Sequence, residues 1–173
     1  MNSRKIFWLT FFLISLGVLT YYFFPEKELP SEIQIDYIVV YKSKRQMAGY
    51  SNGQVLKNYK ISLGRKPVGA KEIEGDMKTP EGVYFINDKN PNSNYHKNLG
   101  ISYPNTNDIE NAMRIGKPVG DNIKIHGLRN GICFIGKFHR WFDWTLGCIA
   151  VTNKEIDELY NAVSVGTRIE IKP

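Results

Sequence analysis

Cys148 stands directly after Gly147 and directly before the apolar run Ile149-Ala150-Val151. A thiol placed after a glycine at the mouth of a strand-like run can be held on a tight turn. There the backbone comes close to a bound carbonyl, and successive N–H groups point at one spot. A thiol becomes a good nucleophile near neutral pH only when a base or a cation favours the thiolate. The best base in the chain is His126, at the end of the alternating segment 122–126 and followed by Gly127. Cys148 and His126 are therefore read as a nucleophile–base pair for acyl transfer. Most free cysteines are inert, so the reading leans on context. That context is a His-Gly pair upstream, a Trp-Thr-x-Gly-Cys turn, and a capped helix beginning four residues after the thiol.

Other chemistry-bearing residues carry less. Thr145 precedes the turn, where a hydroxyl either supports the thiol or caps the backbone. Trp144 and Trp141 are read as cleft-lining or core residues, and Arg129 as a carboxylate-binding or solvated arginine. His139, in an aromatic loop, and His96, in a polar one, are both expected at the surface. Cys133 is taken as a small unpaired residue, with a Cys133–Cys148 disulfide as the structural alternative. Three histidines and two cysteines show neither CxxC nor HxxxH spacing, so no metal and no other cofactor is expected.

The elements that must position these residues are mostly strands. Residues 35–41 are β-branched and aromatic, and 54–63 alternate after an Asn52-Gly53 hairpin signal. Residues 83–86 read as a further strand, and 87–98, rich in Asn and Pro, as an exposed loop that could frame a site. A short helix is expected over 108–115, stopped by Gly116, and a loop with four aromatics over 131–144. Thr152 and Glu155 fit a capping box for a helix whose apolar residues recur at Ile156, Leu159, Tyr160 and Val163 and which Gly166 ends. Residues 168–172 alternate as a closing strand. The fold class is mainly β, with one or two short helices.

The blocks Ile125-His126-Gly127, Asp143-Trp-Thr-Leu-Gly-Cys-Ile-Ala-Val151 and Glu74-Gly-Asp-Met-Lys-Thr-Pro-Glu-Gly-Val-Tyr84 resemble those of the L,D-transpeptidase catalytic domain family, also called YkuD-like. The similarity runs from about Ile35 to Pro173. Two positions depart from many members: Leu146, where His or Arg is usual, and Ala150, where Arg or Asn is usual. The resemblance implies a β-sandwich-like domain with the cysteine in a cleft, and a peptidoglycan stem peptide as substrate. Cys148 would attack the carbonyl of the third-position diamino acid and expel the terminal D-alanine, with His126 relaying the proton. Backbone N–H groups of Leu146, Gly147 and Cys148 would hold the oxyanion, and Gly127, Thr145, Trp144 and Arg129 are the candidate substrate-binding residues. An amine acceptor makes a cross-link. Water makes a hydrolase, either a carboxypeptidase or endopeptidase or an amidase that releases a wall-linked protein, which the two departures keep in view. A wall-binding module without catalysis is the third reading.

Composition sets the surroundings. The 173 residues carry a formal charge of +6, or +4 once Arg4 and Lys5 are set aside. The basic residues are interspersed with acidic ones, which excludes a nucleic-acid stripe. Residues 6–24 are an uncharged run of nineteen, reaching roughly 28 Å as a helix, close to a bilayer's hydrocarbon thickness. Arg4 and Lys5 precede it, so the positive-inside rule puts the N-terminus in the cytoplasm and the rest outside. The organisation expected is a membrane anchor or signal segment over 1–25, a linker over 26–34 and a catalytic domain over 35–173. The location is the cell envelope, on the extracytoplasmic side of the membrane.

Overall fold

The computed structural model describes residues 2–30 and 32–173, so Met1 and the linker residue Ser31 lie outside the described residues. Helix α1 (Ser3–Phe23) has no buried residue and is long and apolar enough to cross a membrane. The remaining strands are β1 (Ile35–Tyr41), β2 (Gln46–Ser51), β3 (Gln54–Lys60), β4 (Gly82–Ser93), β5 (His96–Ile101), β6 (Lys124–His126), β7 (Ile149–Ala150) and β8 (Val163–Lys172). Helices α2 (Thr106–Ile115) and α3 (Asn153–Ala162) and a kinked 3₁₀ segment (Cys133–Trp141) complete the chain.

The eight strands form one sheet in the order β3-β2-β1-β8-β4-β5-β6-β7. The closing strand β8 inserts between β1, to which it is parallel, and β4, to which it is antiparallel. β4 is twelve residues long and serves two partners, β8 through residues 82–85 and β5 from Ile86 onward, with a register shift between Ile86 and Asp88. That shift bends the sheet, as bulges do. The sheet curls until Ser62, just past β3, meets Ala150 of β7. Ser62 donates its N–H to the Ala150 carbonyl at 3.0 Å, and Ala150 donates to Ser62 at 2.9 Å. These two bonds join the ends of the sheet order at a single bridge.

The alternation seen in the sequence becomes the core. Ile38, Val40, Tyr59, Ile61, Ile125 and Ile149 are all essentially inaccessible. α3 lies on this core through Ile156, Leu159 and Ala162. Its capping box is formed: Thr152 accepts from the Glu155 N–H, and Glu155 accepts from the Thr152 N–H.

Four expectations change. Residues 87–98 are not a loop but the β4–β5 hairpin, whose ladder is held by backbone groups that the polar side chains do not reveal. The last helix ends at Ala162, four residues before Gly166, because Val163 turns straight into β8. Part of the aromatic loop is 3₁₀ helix, broken at Gly136, whose φ is +46°. His139 is fully buried rather than at the surface: the Ser62 hydroxyl donates to its carbonyl at 2.8 Å and lies 3.2 Å from its Nδ1.

Candidate active site

β6 and β7 run parallel, with Ile125 opposite Ile149 and His126 opposite Ala150. Continuing that register back by two residues puts Cys148 opposite Lys124. Side chains two apart on a strand share a face, so Cys148 and His126 are diagonal neighbours on one face of adjacent strands. Strand spacing and a two-residue offset put their Cα atoms about 8 Å apart, a span the two side chains can bridge. Both line the same open cleft, of about 1150 Å³, together with Thr145, Trp144, Leu146 and Arg129.

The imidazole is held in one state. His126 is 6% exposed, and its Nδ1 lies 2.7 Å from the Gly127 carbonyl. A carbonyl can only accept, so Nδ1 carries the proton and the neutral ring presents a lone pair at Nε2. Burial pushes the His126 pKa down to about 4, against a smaller opposing pull from the Gly127 carbonyl. The ring packs between Tyr95, at 4.6 Å between centroids, and Trp144, at 5.6 Å edge-on. Asn98 stands opposite His126 across the β5–β6 ladder, is buried, and has an Oδ1 without a partner among the described residues.

The thiol is a resting thiol. Burial pushes the Cys148 pKa up, and the Lys124 N–H beside it pulls weakly the other way. Its sulfur sits 3.5 Å from the carbonyl of Asn122, to which S–H donates. Asn122 reaches that position through a left-handed turn at φ +60°, which Asn tolerates better than most residues.

The turn that carries the cysteine is built by Thr145. Its hydroxyl donates to the Cys148 carbonyl at 2.7 Å and accepts the Gly147 N–H at 3.1 Å. Thr145 is itself fixed to the β3 side of the sheet, donating its N–H to Leu63 and accepting from Arg65. Asp143 ties down the front of the motif, accepting the Leu63 N–H at 2.9 Å and pairing with Arg45 at 2.8 Å. Gly147 has φ +135°, and a Cβ there would lie 2.7 Å from the Lys78 carbonyl oxygen, so the residue must be glycine on two counts. With the Gly147 N–H already engaged, the turn's donors free of any partner among the described residues are Leu146 and Cys148.

The Glu74–Tyr84 stretch supports this floor. The Asp76 carboxylate accepts from the N–H groups of Glu72, Ile73 and Lys78 and from Lys71 Nζ. Burial would raise its pKa, but these donors outweigh it and hold the carboxyl below its usual range. The loop is thereby fixed where Lys78 meets Gly147.

Gly127 does not line the cleft. A Cβ there would strike Asn153 Oδ1 at 2.8 Å and the Tyr95 carbonyl at 3.0 Å, so its role is packing and the carbonyl offered to His126. Trp141 lies away from the cleft and is 62% exposed. His96 pairs with Asp157 of α3. Cys133 and Cys148 are both free, and Cys133 is exposed. Sequence reasoning missed Tyr95, Asn98, Asn122 and Asp143. Two signals were available: Asp143 opens the Asp143–Val151 block, and Tyr95 is a lone large aromatic in an otherwise polar hairpin tip.

A model of the L,D-transpeptidase catalytic domain (YkuD) matches residues 35–171. Among curated proteins the chain is 31% identical over 134 residues to a "Putative L,D-transpeptidase YafK" of Escherichia coli, covering 74% of this chain and 47% of that one. The chain thus spans about half the length of the curated relatives it matches. Among solved structures it is similar to the helical cell shape determining protein Pgp2 from Campylobacter jejuni. That pair has 26% identity and a TM-score of 0.60, with 82% of this chain and 48% of that one covered. An L,D-transpeptidase from Mycobacterium smegmatis shares the fold at 15% identity and a TM-score of 0.53, over 79% of this chain and 58% of that one.

Proposed function

Because the chain belongs to the L,D-transpeptidase catalytic domain family, we propose that it carries out cysteine-dependent acyl transfer on peptidoglycan stem peptides. The observation that carries this reading is the neutral His126 ring, its Nδ1 committed to Gly127, in one cleft with Cys148. Nε2 takes the thiol proton as Cys148 Sγ attacks the carbonyl of the third stem residue. The tetrahedral oxyanion accepts from the Leu146 and Cys148 N–H groups, donors of a kind worth about 10²–10³ in rate each. The C–N bond to the terminal D-alanine breaks, and the imidazolium returns the proton to the departing amine. The thioester on Cys148 is then attacked by an amine from a second stem, whose proton passes to His126 as the thiolate leaves. Arg129, which lines the cleft, would pair with a substrate carboxylate.

The setting follows from α1. Arg4 and Lys5 at its start and the near-neutral Glu26-Lys27-Glu28 at its end orient it with the domain on the extracytoplasmic side of the envelope. The similarity to a helical cell shape determining protein fits a role in shaping the wall.

The test is incubation of the detergent-solubilised full chain with purified tetrapeptide muropeptides, followed by mass analysis. Cross-linked dimers together with released alanine support transpeptidation. Trimmed monomers alone assign the same nucleophile to hydrolysis. Unchanged muropeptides that still bind, equally in Cys148→Ala, would make the domain a binding module.

A further inference from the structure

The foot of α1 is docked on the 3₁₀ segment rather than tethered to it. The Tyr21 ring lies 5.9 Å from Trp141 and 6.0 Å from Phe138, and the Tyr22 ring 5.2 Å from Phe138. Tyr22 donates its hydroxyl to the Phe134 carbonyl at 2.7 Å, and Tyr21 donates to the Lys137 carbonyl at 3.3 Å. Gly136 makes room for this approach, since a Cβ there would stand 2.9 Å from the Tyr22 ring. Lys137 donates to the Phe24 carbonyl, and Arg140 pairs with Glu26 at 2.6 Å.

Around this joint the domain leaves large apolar side chains uncovered. Phe134 is 71% exposed, and Trp141 and its neighbour Phe142 are 62% and 63% exposed. Isolated exposed apolar residues need no explanation, but a cluster of aromatics does. Tyr21 and Tyr22 occupy the last turn of a helix about 31 Å long, where the apolar run gives way to a charged linker. Aromatic rings at that depth sit among lipid headgroups. Trp141, in ring contact with Tyr21, shares that depth; Phe134, whose carbonyl Tyr22 holds, and Phe142, next to Trp141 in the chain, lie beside it.

We propose that Phe134, Trp141 and Phe142 form a membrane-docking face that lies in the headgroup region of the bilayer α1 enters. This rests on reading α1 as membrane-spanning. A lipid surface is the occupant because Trp141 packs on the foot of α1, whose large apolar side chains from Ile6 to Leu19 are exposed. Ile132, the residue just before the 3₁₀ segment, lines the cleft. The docked face therefore fixes the cleft mouth close to the membrane instead of letting the domain swing on its linker.

Tryptophan fluorescence of the full chain in lipid vesicles tests this, because the three tryptophans fall at separate places, 8, 141 and 144. One variant keeps Trp141 alone (Trp8→Phe with Trp144→Phe) and another keeps Trp8 alone (Trp141→Phe with Trp144→Phe). Circular dichroism checks that both are folded. Each is placed in phosphatidylcholine–phosphatidylglycerol vesicles whose chains are brominated near the headgroup or near the chain end. The proposal predicts that Trp141 is quenched, more strongly by the shallow bromines, and that Trp8 is quenched too. Trp8 quenched with Trp141 unquenched overturns the docking face and leaves the helix in the membrane. Both unquenched removes the helix reading and the face with it. Trp141 shielded from aqueous acrylamide yet untouched by bromine means that a second copy of the chain covers the face, which also overturns the proposal.

Discussion

At the scale of single residues, the site rests as a neutral thiol beside a neutral imidazole, because burial disfavours the charged form of both. A pre-formed thiolate–imidazolium pair would need the opposite shifts. Alkylation of Cys148 by iodoacetamide should therefore show a midpoint above the 9.0 of an ordinary thiol. Catalytic acyl transfer should persist as pH falls until the ring protonates near 4. The same burial bears on stability. A base whose folded pKa lies below its unfolded one binds fewer protons in the folded state, so stability falls as pH drops from about 6.5 towards 4. His139, pushed down to about 3 by burial and by Arg140, adds in the same direction. Each ring contributes at most about 1.4 kcal/mol per pH unit across that window. Urea unfolding at pH 7 and pH 5 checks this, and His139→Gln should flatten the dependence.

His139 also marks where single-residue reading stops. A histidine among exposed aromatics looks like a surface residue, and its burial depends on Ser62, seventy-seven positions away. Cys148 and His126 could be picked out in the sequence because each has a glycine neighbour: Gly147 answers a local backbone demand at φ +135°, and Gly127 a close packing contact with Asn153 and Tyr95. Tyr95 and Asn98 were not, because they meet His126 only through the pairing of β5 with β6, strands that α2 separates in the sequence.

At the scale of elements, the cysteine turn depends on one hydroxyl bridging two backbone groups. Thr145→Val leaves a buried N–H and a carbonyl unpaired and should cost about 1–3 kcal/mol and slow acylation, whereas Thr145→Ser should restore both. Stopped-flow acylation and urea unfolding on the same variants measure the two effects. Gly147→Ala should do more damage, since it combines a disfavoured φ with a 2.7 Å contact to Lys78. α3 was readable from its capping box and apolar stripe, up to its C-terminus. Its end was misplaced because a direct change to extended backbone at Val163 needs no glycine. The β4–β5 hairpin was hidden for a different reason: its tip is polar on both faces, and two register shifts break the alternation.

At the scale of the whole molecule, Arg140 is the joint. It pairs with Glu26 of the linker and with Glu155, the capping residue of α3, at 2.8 Å. Glu155 is 3% exposed, so Arg140→Met leaves a buried carboxylate without its cation. That should cost about 3–5 kcal/mol, and adding Glu155→Gln should recover part of it, as read by urea unfolding. The sheet order was not legible in the sequence, because β8 pairs with β1 across nearly the whole domain. Strand existence follows from local alternation, but strand order is set by which apolar faces close the core.

The most direct test of the account is the intact mass of the full chain after incubation with a carbapenem, an electrophile that acylates an activated thiol in a stem-peptide-like cleft. The account predicts one adduct on the unaltered protein and on Cys133→Ala, none on Cys148→Ala, and a rate lowered about 10²–10⁴-fold in His126→Gln. An adduct that survives Cys148→Ala, or an unaltered protein that gains no mass, would contradict it.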